Sequence, residues 1–227
     1  MFSVILARPE NLENIGLVAR AMKNTGFKDL RLTGVKQLGA GAFRTAVHAQ
    51  DILESAPRFR CLDEAVADLQ AVFAATAKAR TNFVSMSLEK AVERMLAFAP
   101  SAKIGLLFGN ERTGLTSEEL KHSNFRFMIP QAVRQPSYNL ASAVLLTLYR
   151  LFTSSPPAEK KTAAPPLSRR EQEECIRRII DILKARSFMH ETNQRHVTEM
   201  IYDLFGRLVL TDKDRRLLLA VFHKGLD

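Results

Sequence analysis

Asn14, Gly16 and Arg20 sit in the stretch RPENLENIGLVARAMKNTGF, Arg8 to Phe27, at a spacing that core packing does not require. The apolar run FSVILA precedes it and helical periodicity follows, so this polar group leaves a strand and enters a helix. Two further stretches share that setting. FGNERTGL, Phe108 to Leu115, follows KIGLL and sets Gly109 and Gly114 around Asn110, Glu111 and Arg112. Glycine at such a turn permits a positive φ and close approach of backbone to a ligand. IPQAVRQPSYNLASA, Ile129 to Ala143, follows FRFM. Its Pro130 and Pro136 bar it from a central strand, and Ser137, Tyr138 and Asn139 open the apolar helix behind it. The chemistry on offer is orientation and charge stabilisation by amide, hydroxyl, carboxylate and guanidinium groups. A dinucleotide cradle needs a GxGxxG turn, whereas Ala7 to Gly16 holds one glycine, and no GxxxxGK[ST] phosphate loop occurs. Taken singly, each loop also admits a plain role. Asn11 or Asn14 caps a helix, Gly16 allows close helix packing, Arg20 is solvated, and Ser137 or Asn139 caps the next helix.

The elements that must position these loops are legible in outline. FSVILA, LRLTGV, a brief FRC, AVFAAT, KIGLLFG and FRFMIP each precede a helical pattern, the signature of βα units around a mostly parallel sheet. Helices are predicted over residues 15–24, 46–53, 62–69, 87–98, 117–122 and 140–152. In such a sheet ligands bind beyond the C-terminal ends of the strands, where all three polar loops fall. A run rich in Pro, Ala, Ser and charge then forms a linker, residues 156–167, between a main α/β domain, 1–155, and a helical extension, 168–227. In the extension, Ser168 and Glu171 form a capping box ahead of Ile176, Ile179, Ile180 and Leu183. Val197, Met200, Ile201, Leu204, Phe205 and Leu208 make one apolar stripe, and Thr211 caps a last helix from Asp212 to Lys224, so a small all-α bundle is expected.

Composition narrows the function classes. No apolar run approaches the roughly 18 residues of a membrane span, and MFSVILARPE has no basic region before its short apolar stretch, so a soluble, uncleaved, cytoplasmic protein is expected. Cys61 and Cys175 lie far apart outside any Cys/His cluster, which argues against structural zinc and a disulfide framework and reads as two small buried hydrophobes. A net charge of +9 and a pI near 9.8 fit a protein that meets a polyanion. The excess is spread, with 19 basic against 13 acidic residues up to Pro157 and 14 against 11 beyond it.

Taken together and in order, NIGLVAR, FGNERTGL and IPQAVRQPSYNLASAV resemble the three motifs of the SPOUT superfamily of RNA methyltransferases, and within it the TrmH-like 2'-O-ribose methyltransferases. ARPENLENIGLVARAMKNTGF, TAKAR and FGNERTGLTSEEL are most similar to the TrmJ-type branch, which modifies the anticodon loop of tRNA. The linker and helical extension match that branch too, so the resemblance covers nearly the whole chain. Two departures are local: the family's Ser-Leu-Asn is Ser137-Tyr138-Asn139 here, and Asn110 stands where the branch often has Arg.

The resemblance implies a SPOUT-type sheet closed by a C-terminal trefoil knot, which the rarity of knots would otherwise exclude. It implies S-adenosylmethionine held by Thr76, Ala77, Lys78, Gly109, Ile129, Pro136, Ser137, Tyr138 and Asn139, and no metal. It assigns activation of the ribose hydroxyl to Arg20, with Asn14 and Glu111 holding the arginine and the loops and Ser137 and Asn139 completing the site. It implies a homodimer in which Arg20 faces the partner's cofactor, and tRNA as substrate, methylated on C or U at the first anticodon-loop position, position 32. The extension is expected to bind RNA, through Arg169, Arg170, Arg177, Arg178, Arg215 and Arg216, or to support the dimer. The rival readings are a methyltransferase of ribosomal RNA, a non-catalytic RNA-binding protein of the same fold, and a nucleotide-cofactor oxidoreductase.

Overall fold

Phe2–Ala7 is apolar on both faces apart from Ser3, as befits a strand covered on both sides, and it lies in the interior of the sheet. This strand, β1, pairs in parallel with β2 (Asp29–Thr33) and β6 (Ile104–Phe108). The structure, a computed structural model, describes residues 1–77, 85–98, 102–132, 137–154 and 164–224. With β3 (Arg58–Phe59), β4 (Ala71–Ala75), β5 (Met86–Ser87) and β7 (Phe125–Met128), the sheet has seven strands in the order β3-β2-β1-β6-β4-β7-β5. Every pairing is parallel.

Alternate residues of the strands enter two separate cores. Val4, Leu6, Phe73, Leu106 and Phe127 face the larger one, covered by α1 (Leu12–Thr25), α2 (Ala40–Ala46), α3 (Gln50–Ser55), α5 (Leu88–Phe98) and α7 (Leu140–Ser154). Ile5, Ala7, Val72, Ala74 and Leu107 face the smaller one, under α4 (Leu62–Val66) and α6 (Ser117–Lys121). The α/β expectation therefore holds as a three-layer arrangement. The single helix expected over 46–53 is instead α2, a 3-10 turn at Val47–Ala49, and α3. Val47 takes φ 49°, a conformation that a β-branched residue resists and that breaks the helix. Strand β5 was not expected, because two residues carry no period. The path through the implied knot includes residues 133–136, outside the described residues.

The expected bundle follows as α8 (Arg169–Ala185), α9 (Gln194–Gly206) and α10 (Asp212–Lys224), with Ser168 and Glu171 forming the capping box. Ile176, Ile179, Leu183 and Phe205 make its own small core. Pro166 and Leu167, the last residues assigned to the linker, pair with Thr211 and Leu210 and so belong to the bundle. The stripe along α9 and just past its end is only partly core, since Met200, Leu204 and Leu208 are exposed while Phe205 is buried. Cys175 is buried as expected; Cys61, at the exposed start of α4, is not.

The bundle docks on the sheet's N-terminal end. The backbone amide of Arg169 donates to Leu69 O at 2.7 Å, just before β4. Asn124, just before β7, accepts from Val72 N at 2.9 Å and donates to Leu208 O at 2.9 Å. Among the described residues no helix is long and apolar enough to cross a membrane.

Candidate active site

The strand register sets the height at which the polar loops leave the sheet. Ala7 lies level with Thr33, Leu6 with Phe108, and Ala75 with Phe127, so the loops after β1, β6, β4 and β7 emerge along one rim. After β1, Arg8 adopts φ 51°, which turns the chain toward α1. Its guanidinium is held in two bonds by Glu119, at 2.6 and 2.8 Å. Glu119 also closes the capping box of α6 with Thr116, so one carboxylate fixes a helix start and a loop 111 residues away. Burial opposes the charge on Glu119, but the bonds from Arg8 and the Thr116 amide outweigh it and keep the carboxyl below its ordinary range.

The second loop locks onto the first. Buried Asn110 donates to Arg8 O at 2.9 Å and accepts from the amides of Arg112 and Thr113 at 2.9 and 3.1 Å. Gly114, at φ 68°, lets the loop fold back so closely that a side chain at Gly109 would overlap the Gly114 and Leu115 backbone. The close approach expected at Gly109 is thus to its own loop. Glu111 then reaches across, accepting from Glu10 N at 2.9 Å, Asn11 N at 3.2 Å and Asn14 Nδ2 at 2.9 Å. Burial opposes its charge, and these donors overcome that to hold the carboxyl below its ordinary value.

The third loop joins through Asn139. Its Nδ2 donates to Asn14 Oδ1 at 3.1 Å, while its own Oδ1 caps α7 by accepting from Ala141 N at 2.8 Å. Asn139, Asn14 and Glu111 form one chain across all three motifs. Asn11, not Asn14, caps α1, accepting from Glu13 N. Gly16 serves the packing role, since a side chain there would overlap Ala42 O and Thr45 Oγ1 of α2. Among the described residues Asn14 and Glu111 hold the loops but make no hydrogen bond to Arg20. Arg20 is exposed on α1, without an ion-pair partner among the described residues.

Beyond the ends of β4 and β7, and against β5, lies an open cleft of about 490 Å³. Ala77 and Ile129, two of the expected cofactor residues, line it together with Met86, Met128 and Pro130, which the motifs did not mark. The thioether and aliphatic walls suit a flat heteroaromatic ring, and the volume falls in the range of small-molecule sites. Thr76 N bonds Phe127 O at 3.0 Å beside the cleft. Tyr138 reaches the wall by donating to Pro130 O at 3.1 Å. Ser137 is exposed just before α7, and Gly109 lies at the end of β6. Lys78 and Pro136 lie outside the described residues. The chemistry of these walls is compatible with an adenosine moiety.

The extension corrects one expectation. Arg169 is only 7% exposed; one of its nitrogens has no partner among the described residues, and burial pulls its affinity for a proton down. It belongs to the seam with the main domain, where Nη2 approaches Lys121 O at 3.4 Å, and is closed to a phosphate. Arg177 pairs with Glu173, and Arg215 and Arg216 with Asp212, whereas Arg170 and Arg178 are exposed.

Residues 1–149 match the model of the SpoU rRNA Methylase family. The tRNA (cytidine-2'-O-)-methyltransferase TrmJ of Methanocaldococcus jannaschii is 31% identical over 232 residues, covering 98% of each chain. The crystal structure of TrmJ from Z. mobilis superposes with a TM-score of 0.81 at 27% identity, covering 100% of both chains. A structure concerned with the 2-OH methylation of C/U34 on tRNA has a TM-score of 0.54 at 26% identity, covering 67% of this chain and 94% of the other. With its three motif loops at one rim of a parallel sheet and a TrmJ homologue matching it from end to end, this chain belongs to the SpoU rRNA methylase family.

Proposed function

We propose that this chain transfers a methyl group from S-adenosylmethionine to the 2'-hydroxyl of a pyrimidine ribose in the anticodon loop of tRNA. The observation that carries this reading is the Asn139–Asn14–Glu111 chain, which ties the three motif loops into one rigid rim beside the cleft. When bound, S-adenosylmethionine supplies an electrophilic methyl on a sulfonium. The residues of the chain must hold the ribose hydroxyl in line with it and stabilise the alkoxide that develops. Arg20 provides the stabilisation, because its guanidinium orients the ribose or its phosphate and offsets the growing negative charge. Arginine is too weak an acid to act as a base, so the hydroxyl proton leaves to phosphate or water. Ser137 and Asn139 complete the wall on the α7 side.

The same reading includes a homodimer. α1 and α7 pack on each other and expose Leu17, Leu145, Tyr149 and Phe152. Leu17 and Arg20 are three residues apart on α1 and share a face, so a second copy seated there meets Arg20. The helical extension braces the domain and the dimer, consistent with its buried Arg169 and locally paired arginines. On the TrmJ-type resemblance we put the methyl group on C or U at position 32, although a similar solved structure concerns C/U34.

Arg20→Ala should reduce methyl transfer by about 100-fold or more, the cost of removing one charge-stabilising group, with cofactor affinity within about twofold of the native chain. Ribose-methylation mapping of tRNA from cells with and without the gene checks the substrate. Methyl groups at position 34 would move the site within the anticodon loop; methyl groups only on ribosomal RNA would overturn the tRNA assignment.

A further inference from the structure

The bundle docks at the N-terminal ends of β4 and β7, whereas the motif loops leave from the C-terminal ends, roughly 15 Å away along strands of this length. Several of its charges are also paired locally. Arg177, Arg195 and Arg216 pair with Glu173, Glu199 and Asp212 at 3.4, 3.1 and 2.5 Å. The cations that meet RNA close to the reacting ribose must therefore lie elsewhere.

At the loop rim, the β3 edge carries such a group. Leu32 is level with Arg58 and Thr33 with Phe59, and Thr33 is level with Ala7. Arg58 and Arg60 thus sit at the height where the first motif loop leaves β1, two strand spacings away, or about 10 Å. Lys36 follows the end of β2 on the same rim. All three side chains are exposed, and none has a carboxylate ion-pair partner among the described residues. The Arg58 guanidinium donates to Lys36 O at 3.4 Å, which draws the β3 edge and the β2–α2 loop together. The nearest acid in contact, Glu64, accepts from the backbone amide of Arg60 at 3.1 Å rather than from its guanidinium. Two planar forks and one ammonium, left free along an edge that leads to the site, have the chemistry of a phosphate track.

We propose that Lys36, Arg58 and Arg60 bind the phosphate backbone of the RNA substrate beside the reacting nucleotide, forming a grip separate from the helical extension. This rests on the RNA methyl-transfer reading above. Each phosphate contact releases counterions and adds about 0.7–0.9 to the dependence of log affinity on log salt.

The test compares two triple variants of the full chain, Lys36→Gln/Arg58→Gln/Arg60→Gln and Arg170→Gln/Arg178→Gln/Lys184→Gln, for binding to purified tRNA across a salt series. The rim variant should lose affinity by about tenfold or more at low salt and flatten the salt slope by about 2. S-adenosylmethionine binding should be unchanged, which also reports an intact fold. The bundle variant should shift the slope by less than half as much. A rim variant with native affinity and slope, while the native chain methylates tRNA, overturns the proposal and leaves the enzymatic reading standing. A native chain that neither binds nor methylates tRNA overturns the enzymatic reading, and this proposal with it.

Discussion

Glu111 shows how much one side chain does here: two backbone amides and the Asn14 amide converge on its carboxylate, and through Asn14 it reaches Asn139. Glu111→Gln keeps the size but replaces charge-assisted bonds with neutral ones and turns one donor against another. A loss of about 1.5 kcal/mol is expected, with a fall in methyl transfer larger than the fall in cofactor affinity. Thermal unfolding and steady-state kinetics check the two halves. The pH dependence has a definite sign. Because the folded carboxyl lies below its ordinary value of 4.5, its stabilisation is fully present above that value and is lost as pH falls through the folded value. The Gln variant should lack this acid limb, measured as the difference in unfolding free energy between pH 6 and pH 3.

At the scale of elements, Asn124 is the hinge pin between sheet and bundle. It is 4% exposed and bonds Val72 N, Gly206 O and Leu208 O at once. Asn124→Ala should cost about 1–3 kcal/mol and open the α9–α10 region to limited proteolysis before the main domain unfolds. Six of the seven strands were legible from apolar runs, and α10 from its cap, because those signals are local. Val47 and the two-residue β5 were not, since neither a positive φ at valine nor a pairing of two residues leaves a pattern. The site divides the same way. The Thr116–Glu119 capping box can be read from four residues, but its bond to Arg8 cannot, because only the fold brings residue 8 to residue 119. Arg169 was misplaced on the surface for a related reason: sequence supplies its charge but not the Leu69 and Lys121 backbone that bury it.

At the scale of the whole molecule, α1 and α7 present an apolar face on which we have proposed that a second copy sits. Tyr149 and Phe152 on α7 are 58% and 57% exposed, beside Leu145 and Leu17. Tyr149→Glu with Phe152→Glu should give a monomer that folds and has lost methyl transfer, checked by light scattering beside the activity assay. A monomer with native turnover would separate catalysis from association. The order of the strands has a consequence for how the chain is made. β1 lies inside the sheet, next to its central strand, β6, with Phe2 opposite Ile104. At roughly 5–20 residues per second, a ribosome needs about 5–20 s to deliver that partner after β1 has emerged. For that interval β1 can pair with β2 but its other edge waits for β6, so one side of Val4, Ile5 and Leu6 stays unpaired, and slower translation before β6 prolongs that exposure.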